Sequence, residues 1–284
     1  MKRFRFPRSG NAVVFMVLTA FNVAAVVDAA AAPVSGAGTS TRTTVVKLPI
    51  LTVAYSGGFV PQESIFTNYD RPVVDGFGNV ITSETPTAVG PTSFLPRLST
   101  RALSRAAVEA LHAAAKDAGL ADAGFDWGLP GTADVPGATI TYRDPGGTVL
   151  TSSIASLGVG DETVLEPQRI RRAKVNALLR ALNGGTAPFT GVKKHYLITA
   201  LAIRAAAAPP GTSAPTKQWP LKRVRLTQAG DCVEVRGADA LKLRAALTKA
   251  DTGVFWVDSR ESAQEWIVQF RPILPGGRGC SPAK

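Results

Sequence analysis

Apolar and polar positions change period several times along the chain, and each change marks an element. A β-branched apolar run at 50–55 reads as a strand, broken by Gly57-Gly58. Apolar stretches at 65–74 and 79–83 flank Asp75-Gly76-Phe77-Gly78. Asp and Gly tolerate positive φ, so this segment predicts a hairpin. At 100–118 the period becomes helical, with Leu103, Ala107, Leu111, Ala114 and Ala118 as a narrow stripe. Ser99 is placed to cap that helix, Leu98 and Leu103 to staple its start, and Gly119 to end it. Segments 138–143 and 148–157 predict a second hairpin across Asp144-Pro145-Gly146-Gly147.

In the second half, residues 166–183 predict a helix, with Pro167 in its first turn and Gly184-Gly185 at its end. Strands are expected at 196–204 and 231–235, a third helix at 239–250, and closing strands at 254–257 and 265–271. Trp266, Val268 and Phe270 share one face of the last strand by alternation. Strands in adjacent pairs with helices between them predict an α+β fold. It would be a mainly antiparallel sheet built from hairpins, with about three helices packed on it.

The first 31 residues carry a different pattern. Lys2, Arg3, Arg5 and Arg8 precede an uncharged, mostly apolar run at 12–27, and Asp28 leads into four alanines at 29–32. This predicts a signal peptide over 1–31, cleaved before Ala32. The run is shorter than the roughly 20 residues a spanning helix needs, so no transmembrane span is expected after cleavage. No Cys lies near the cleavage zone, which argues against a lipid anchor on Cys. Residues 32–46 are expected as a flexible leader, and 47–284 as the α+β domain. A sub-boundary could fall at 207–218, a Pro- and Ala-rich stretch. The expected location is secreted and extracellular, with loose cell-wall association.

The chain has 284 residues and a net charge of +11, with 45% hydrophobic and 19% charged residues. That excludes a wholly disordered chain. Removing 1–31 leaves a net charge of +8. Such a charge favours anionic surfaces, and the expected partner is an anionic cell-envelope polymer or another secreted protein, not nucleic acid. Two His and two Cys argue against multi-ligand zinc, haem or iron–sulfur designs, so neither metal nor cofactor is expected. Cys232 and Cys280 are both in the exported part and read as one disulfide.

Candidate chemistry is sparse. Ala54-Tyr55-Ser56-Gly57-Gly58 has the form of a nucleophile elbow, which needs a helix straight after the Ser and a histidine base. Phe59-Val60-Pro61 follows, and only His112 or His195 could serve as base, so a strand-ending turn is the simpler reading. His112 is expected as a boundary histidine and His195 at an exposed strand start. Asp122, Asp126 and Asp134 are not spaced as a calcium loop. Arg169, Arg172 and Arg180 fall on one face of the second helix, opposite Ile170, Ala173, Ala177, Leu178 and Ala181 as the expected core side. With Trp219 as an exposed anchor, they make a candidate anion or partner surface. The leading expectation is a non-enzymatic binding module at or outside the cell envelope. The alternatives are a secreted hydrolase using Ser56 and a secreted protease inhibitor presenting 207–218.

Several of these residues also carry a resemblance. Tyr55-Ser56-Gly57-Gly58-Phe59-Val60-Pro61, the 75–80 turn, Ala118-Gly119-Leu120, Trp219-Pro220, Cys232, Trp266, Arg271-Pro272-Ile273-Leu274-Pro275 and Cys280 together span most of 48–280. In these the chain resembles a group of secreted, uncharacterised proteins of high-GC Gram-positive bacteria. The resemblance implies export and a Cys232–Cys280 bridge, and it implies no activity. Many members of that group carry a lipid-anchor Cys after the signal, and this chain departs from them there.

Overall fold

Local chemistry sets the main turns. The structure is a computed structural model, which describes residues 47–58, 66–84, 93–248, 250, 253–261, 264–277 and 279–280. The expected signal peptide, the leader, and the 59–65 part of the elbow and first hairpin lie outside these residues. Strands β1 (Leu51–Ser56), β2 (Val73–Val74) and β3 (Asn79–Ser83) open the fold. The predicted turn joins β2 to β3: Asp75 Oδ1 accepts from the Phe77 and Asn79 amides at 2.8 and 2.9 Å. Gly78 there has φ of +82°, which a side chain would strain.

The predicted helix at 100–118 starts late. Residues Leu98–Ala102 form a strand, β4, paired with the whole of β3, and helix α1 is Arg105–Asp117. Ser104 caps it, accepting from the Ala107 amide at 3.1 Å. Ser99 instead meets the Thr82 hydroxyl at 3.2 Å in the sheet interior. The ladder to β3 thus claims residues whose short-range pattern also suits a helix start.

Strands β5 (Gly137–Arg143) and β6 (Val149–Ile154) form the second predicted hairpin. Helix α2 is Glu166–Gly184, ended by Gly185 in the left-handed region. Strand β7 is Lys194–His195. Then come β8 (Ala200–Ala207), β9 (Thr216–Gln218), β10 (Val233–Arg236), helix α3 (Gly237–Thr248), β11 (Phe255–Val257) and β12 (Glu265–Pro272).

The fold is α+β, with three helices and two mainly antiparallel sheets among the described residues where a single sheet was expected. The order is β6-β5-β1-β2-β3-β4-β7 in the first sheet and β10-β8-β12-β11-β9 in the second. Strand β9 pairs with β11 in parallel, so 207–218 joins two strands of one sheet. One face of the first sheet (Leu51, Val53, Val74, Val80, Ile140, Ile154) packs on α1 and α2. The other face contributes Val73, Ile81 and Leu98 to a core shared with β8, β12, Trp256 and α3. Among the described residues no helix is long and apolar enough to cross a membrane.

Cys232 and Cys280 are joined, with their Cα atoms 5.4 Å apart. They pack with Ala200, Ala202 and Ile273 on the outer side of the second sheet. Replacing both cysteines by serine should lower the unfolding free energy by about 4 kcal/mol, from the entropy returned to the unfolded chain. Denaturant unfolding of the oxidised wild type against the double variant measures it.

Candidate functional site

Two of the four residues expected on a basic partner surface lie inside the molecule. Arg172 is fully buried. Its Nε donates to Asp161 Oδ1 at 2.6 Å, Nη1 to the Trp127 carbonyl at 3.3 Å, and Nη2 to the Ala155 and Ser156 carbonyls at 2.7 and 3.1 Å. Asn176 holds the other Asp161 oxygen at 3.2 Å. The buried line of α2 is therefore Arg172, Val175, Leu178, Leu179 and Leu182. Ile170, Ala173 and Ala177, expected inward, are exposed. The helix is turned relative to the expected face because the guanidinium finds a full set of acceptors inside. Arg169 and Arg180 are exposed, and Arg169 is paired with Glu166.

Trp219 is core as well. Its indole Nε1 donates to the Val224 carbonyl at 2.8 Å, and its ring meets Trp256 edge-on at 5.7 Å. Ser56 ends β1, and Gly57 and Gly58 both have left-handed φ, +78° and +76°. No helix begins on that serine. His112, half-buried on α1, shares a 2.9 Å hydrogen bond with the Tyr142 hydroxyl, and His195 is exposed on β7. Neither imidazole contacts Ser56 among the described residues. Asp122 pairs with Arg171, and Asp126 accepts from the Gly128 amide at 2.9 Å.

A cleft of about 430 Å³ opens where the two sheets meet, lined by three segments far apart in sequence. Thr67, Tyr69 and Arg71 come from the segment before β2, Ser93, Phe94 and Pro96 from the segment before β4, and Val268, Gln269 and Phe270 from β12. Its apolar wall is aromatic: Phe94 stands edge-on to Phe270 at 5.5 Å and is packed near Trp256. Its polar wall is a three-way contact. The Tyr69 hydroxyl bonds the Ser83 hydroxyl, and Arg71 Nη1 donates to both, at 3.2 and 3.1 Å. The guanidinium also lies over the Tyr69 ring, 5.0 Å from its centre.

Arg71 is exposed, and no carboxylate lies within salt-bridge distance of it among the described residues. Its field reaches Tyr55, whose phenol is pushed above its usual range by burial while Arg71 works the other way. The arrangement offers an oriented cation, hydroxyl groups and an aromatic wall, which suits holding an anionic group. Sequence reasoning singled out none of the cleft's side chains except Val268 and Phe270, and those only as sharing one face of the last strand. No local motif links Tyr69, Arg71, Ser93 and Phe94; only the fold brings them together. Comparison with known proteins finds no family model, curated protein or solved structure that matches the chain.

Two measurements test the placement of these side chains. Arg172→Ala takes from Asp161 its ion partner and from the Trp127, Ala155 and Ser156 carbonyls their donor, and should cost about 3–5 kcal/mol of stability. Arg169→Ala and Arg180→Ala should each stay within about 0.5 kcal/mol. Chemical denaturation compares the three. His112 has a pKa held below the usual 6.5, chiefly by burial, with Arg143 adding to the shift and Asp144 opposing it. As pH falls below the ordinary value, the unfolded chain takes up a proton that the folded chain refuses. Stability contributed by neutral His112 is therefore present above that value, is lost on acidification, and levels off below the lowered folded pKa. Unfolding midpoints of wild type and His112→Gln from neutral to mildly acidic pH should converge as the pH drops.

Proposed function

We propose that this chain is an exported, non-enzymatic binding module that works at or just outside the cell envelope, where the cleft beside Arg71 holds an anionic group of an envelope polymer. The observation that carries the reading is the Arg71 guanidinium, oriented by Tyr69 and Ser83 at the cleft and without a carboxylate partner among the described residues. A guanidinium held in this way loses little freedom on binding and offers its remaining N–H groups to carboxylate or phosphate. Phe94 and Phe270 supply an apolar wall for the part of the ligand next to the charge. The net charge of +8 left after residues 1–31 are removed supports long-range attraction to a polyanion. The basic and apolar start of the sequence supports export, and the disulfide suits an oxidising compartment.

The test is retention of the purified, oxidised protein on wall, membrane and soluble fractions at low and high salt. Wild type should be held on one envelope fraction and released by salt. Arg71→Gln removes a charge-assisted hydrogen bond and should bind roughly tenfold to a hundredfold more weakly. Equal retention of Arg71→Gln, with loss in the Arg169→Gln/Arg180→Gln double variant, would move the site to α2. No retention on any fraction would remove the envelope-binding reading altogether.

A further inference from the structure

Among the described residues four strands lie at sheet edges, and three of them are protected against pairing. Strand β7 has only two residues, one of them Lys194. Strand β9 has three, with Lys217 at its centre. Strand β10 carries Glu234 and Arg236, paired at 2.8 Å, and Glu234 also accepts from the Cys280 amide beside the disulfide. Short length, charge and covalent tethering are the usual guards of an open edge. Strand β6 has none of them. Its six residues, Val149–Ile154, include no charge, no proline and no glycine.

Hydrogen-bond parity shows which of its backbone groups are open. The Arg143 amide donates to the Ile50 carbonyl, on the β1 side of β5, and the Asp144 amide donates to the Thr148 carbonyl, on the β6 side. Alternation then turns Leu150, Ser152 and Ile154 of β6 toward β5. The N–H and C=O groups of Val149, Thr151 and Ser153 point away from the sheet. No backbone hydrogen bond to them is present among the described residues. The side chains of these three residues are exposed as well, Val149 to 55%.

We propose that β6 pairs with β6 of a second copy of this chain, antiparallel about a two-fold axis through Thr151, joining two seven-stranded sheets into one. A strand run antiparallel to itself is self-complementary, so one surface serves both copies. In this register Thr151 faces its own mate, and Val149 of each copy faces Ser153 of the other. The three outward residues of one strand meet the three of the other as hydrogen-bonded pairs. The side chains agree with the register. Thr52, Thr141 and Thr151 already form a cross-strand row, with the Thr141 and Thr151 hydroxyls 3.4 Å apart. The two-fold axis continues that row into the second copy, and facing threonines stabilise antiparallel pairs. On the helix side, Leu150, half-buried in one chain, comes against Ser152 of the other. The seam contains no charge, so nothing along the two strands repels.

Sedimentation equilibrium of the oxidised chain from low to high micromolar concentration tests this. Wild type should show a reversible monomer–dimer equilibrium. Thr151→Pro removes an outward N–H from each strand while leaving the inner ladder to β5 intact, because proline is tolerated where the amide faces out of an edge. Losing those two donors should weaken dimerisation about thirtyfold. Thr151→Lys, which changes no backbone group, should also shift the equilibrium to monomer and serves if the proline variant fails to fold. Amide exchange at Val149, Thr151 and Ser153 should slow as wild-type concentration rises. A wild type that stays monomeric throughout overturns the proposal. So does a dimer that Thr151→Lys leaves as tight as before.

Discussion

Strands β2, β3 and β4 have no free face. Val74 and Val80 point to the helices, and Val73, Ile81 and Leu98 point to the second sheet, so adjacent residues of one strand serve two cores. Alternation fades where burial is two-sided, and Val80, Ile81 and Thr82 are all buried in succession. The second sheet has five strands and the first has seven, and their overlap is incomplete. Strands β1, β5 and β6 keep one wet face, on which Thr52, Thr139, Thr141 and Thr151 replace the aliphatic residues found further along. The cleft lies where the two sheets meet, and the open edge lies at the end of the first sheet. Both follow from a smaller sheet lying on a larger one.

Arg172 is the second constraint. A guanidinium taken wholly out of water must find compensation for its lost hydration, and here Asp161 and three backbone carbonyls supply it. Such a pair adds little stability over a hydrophobic replacement. Its effect is positional: one side chain on α2 fixes the Trp127 segment, the exit of β6 and the turn at Asp161. Ser156, whose carbonyl it holds, sits in left-handed backbone with φ of 47°, a conformation that this bond helps to keep.

The elements with strong local chemistry were legible in the sequence: the Asp75-Gly76 and Asp144-Pro145-Gly146-Gly147 turns of the two hairpins, α2 from Pro167 to Gly185, and the alternation of Trp266, Val268 and Phe270. The expected strands at 65–74 and 196–204 shrink to Val73–Val74 and to a strand that starts at Ala200, while two unexpected strands share one cause. Residues 98–102 and 216–218 are strands because a partner strand is available, and nothing within five residues encodes that partner. The inward Arg172 was hidden by the rule that charge lies outside, which holds unless acceptors are assembled from distant loops. Trp219 was misplaced for a similar reason, since a Pro-rich neighbourhood says nothing of the aromatic cluster waiting at Trp256 and Phe270. The cleft was invisible because it is assembled from three separate segments, around Tyr69, around Phe94 and in β12, that no local motif links.

Strand β12 is the last strand among the described residues, yet it lies in the middle of the second sheet, between β8 and β11. A chain delivered with its N-terminus first therefore presents β8 well before its neighbour exists. The sheet stays divided until residues 265–272 arrive, and the long interval sets a high entropic cost for closing it. Time of delivery thus enters the fold. Through most of synthesis the second half has no finished core, and locking comes at the end, when β12 inserts and Cys280 reaches Cys232.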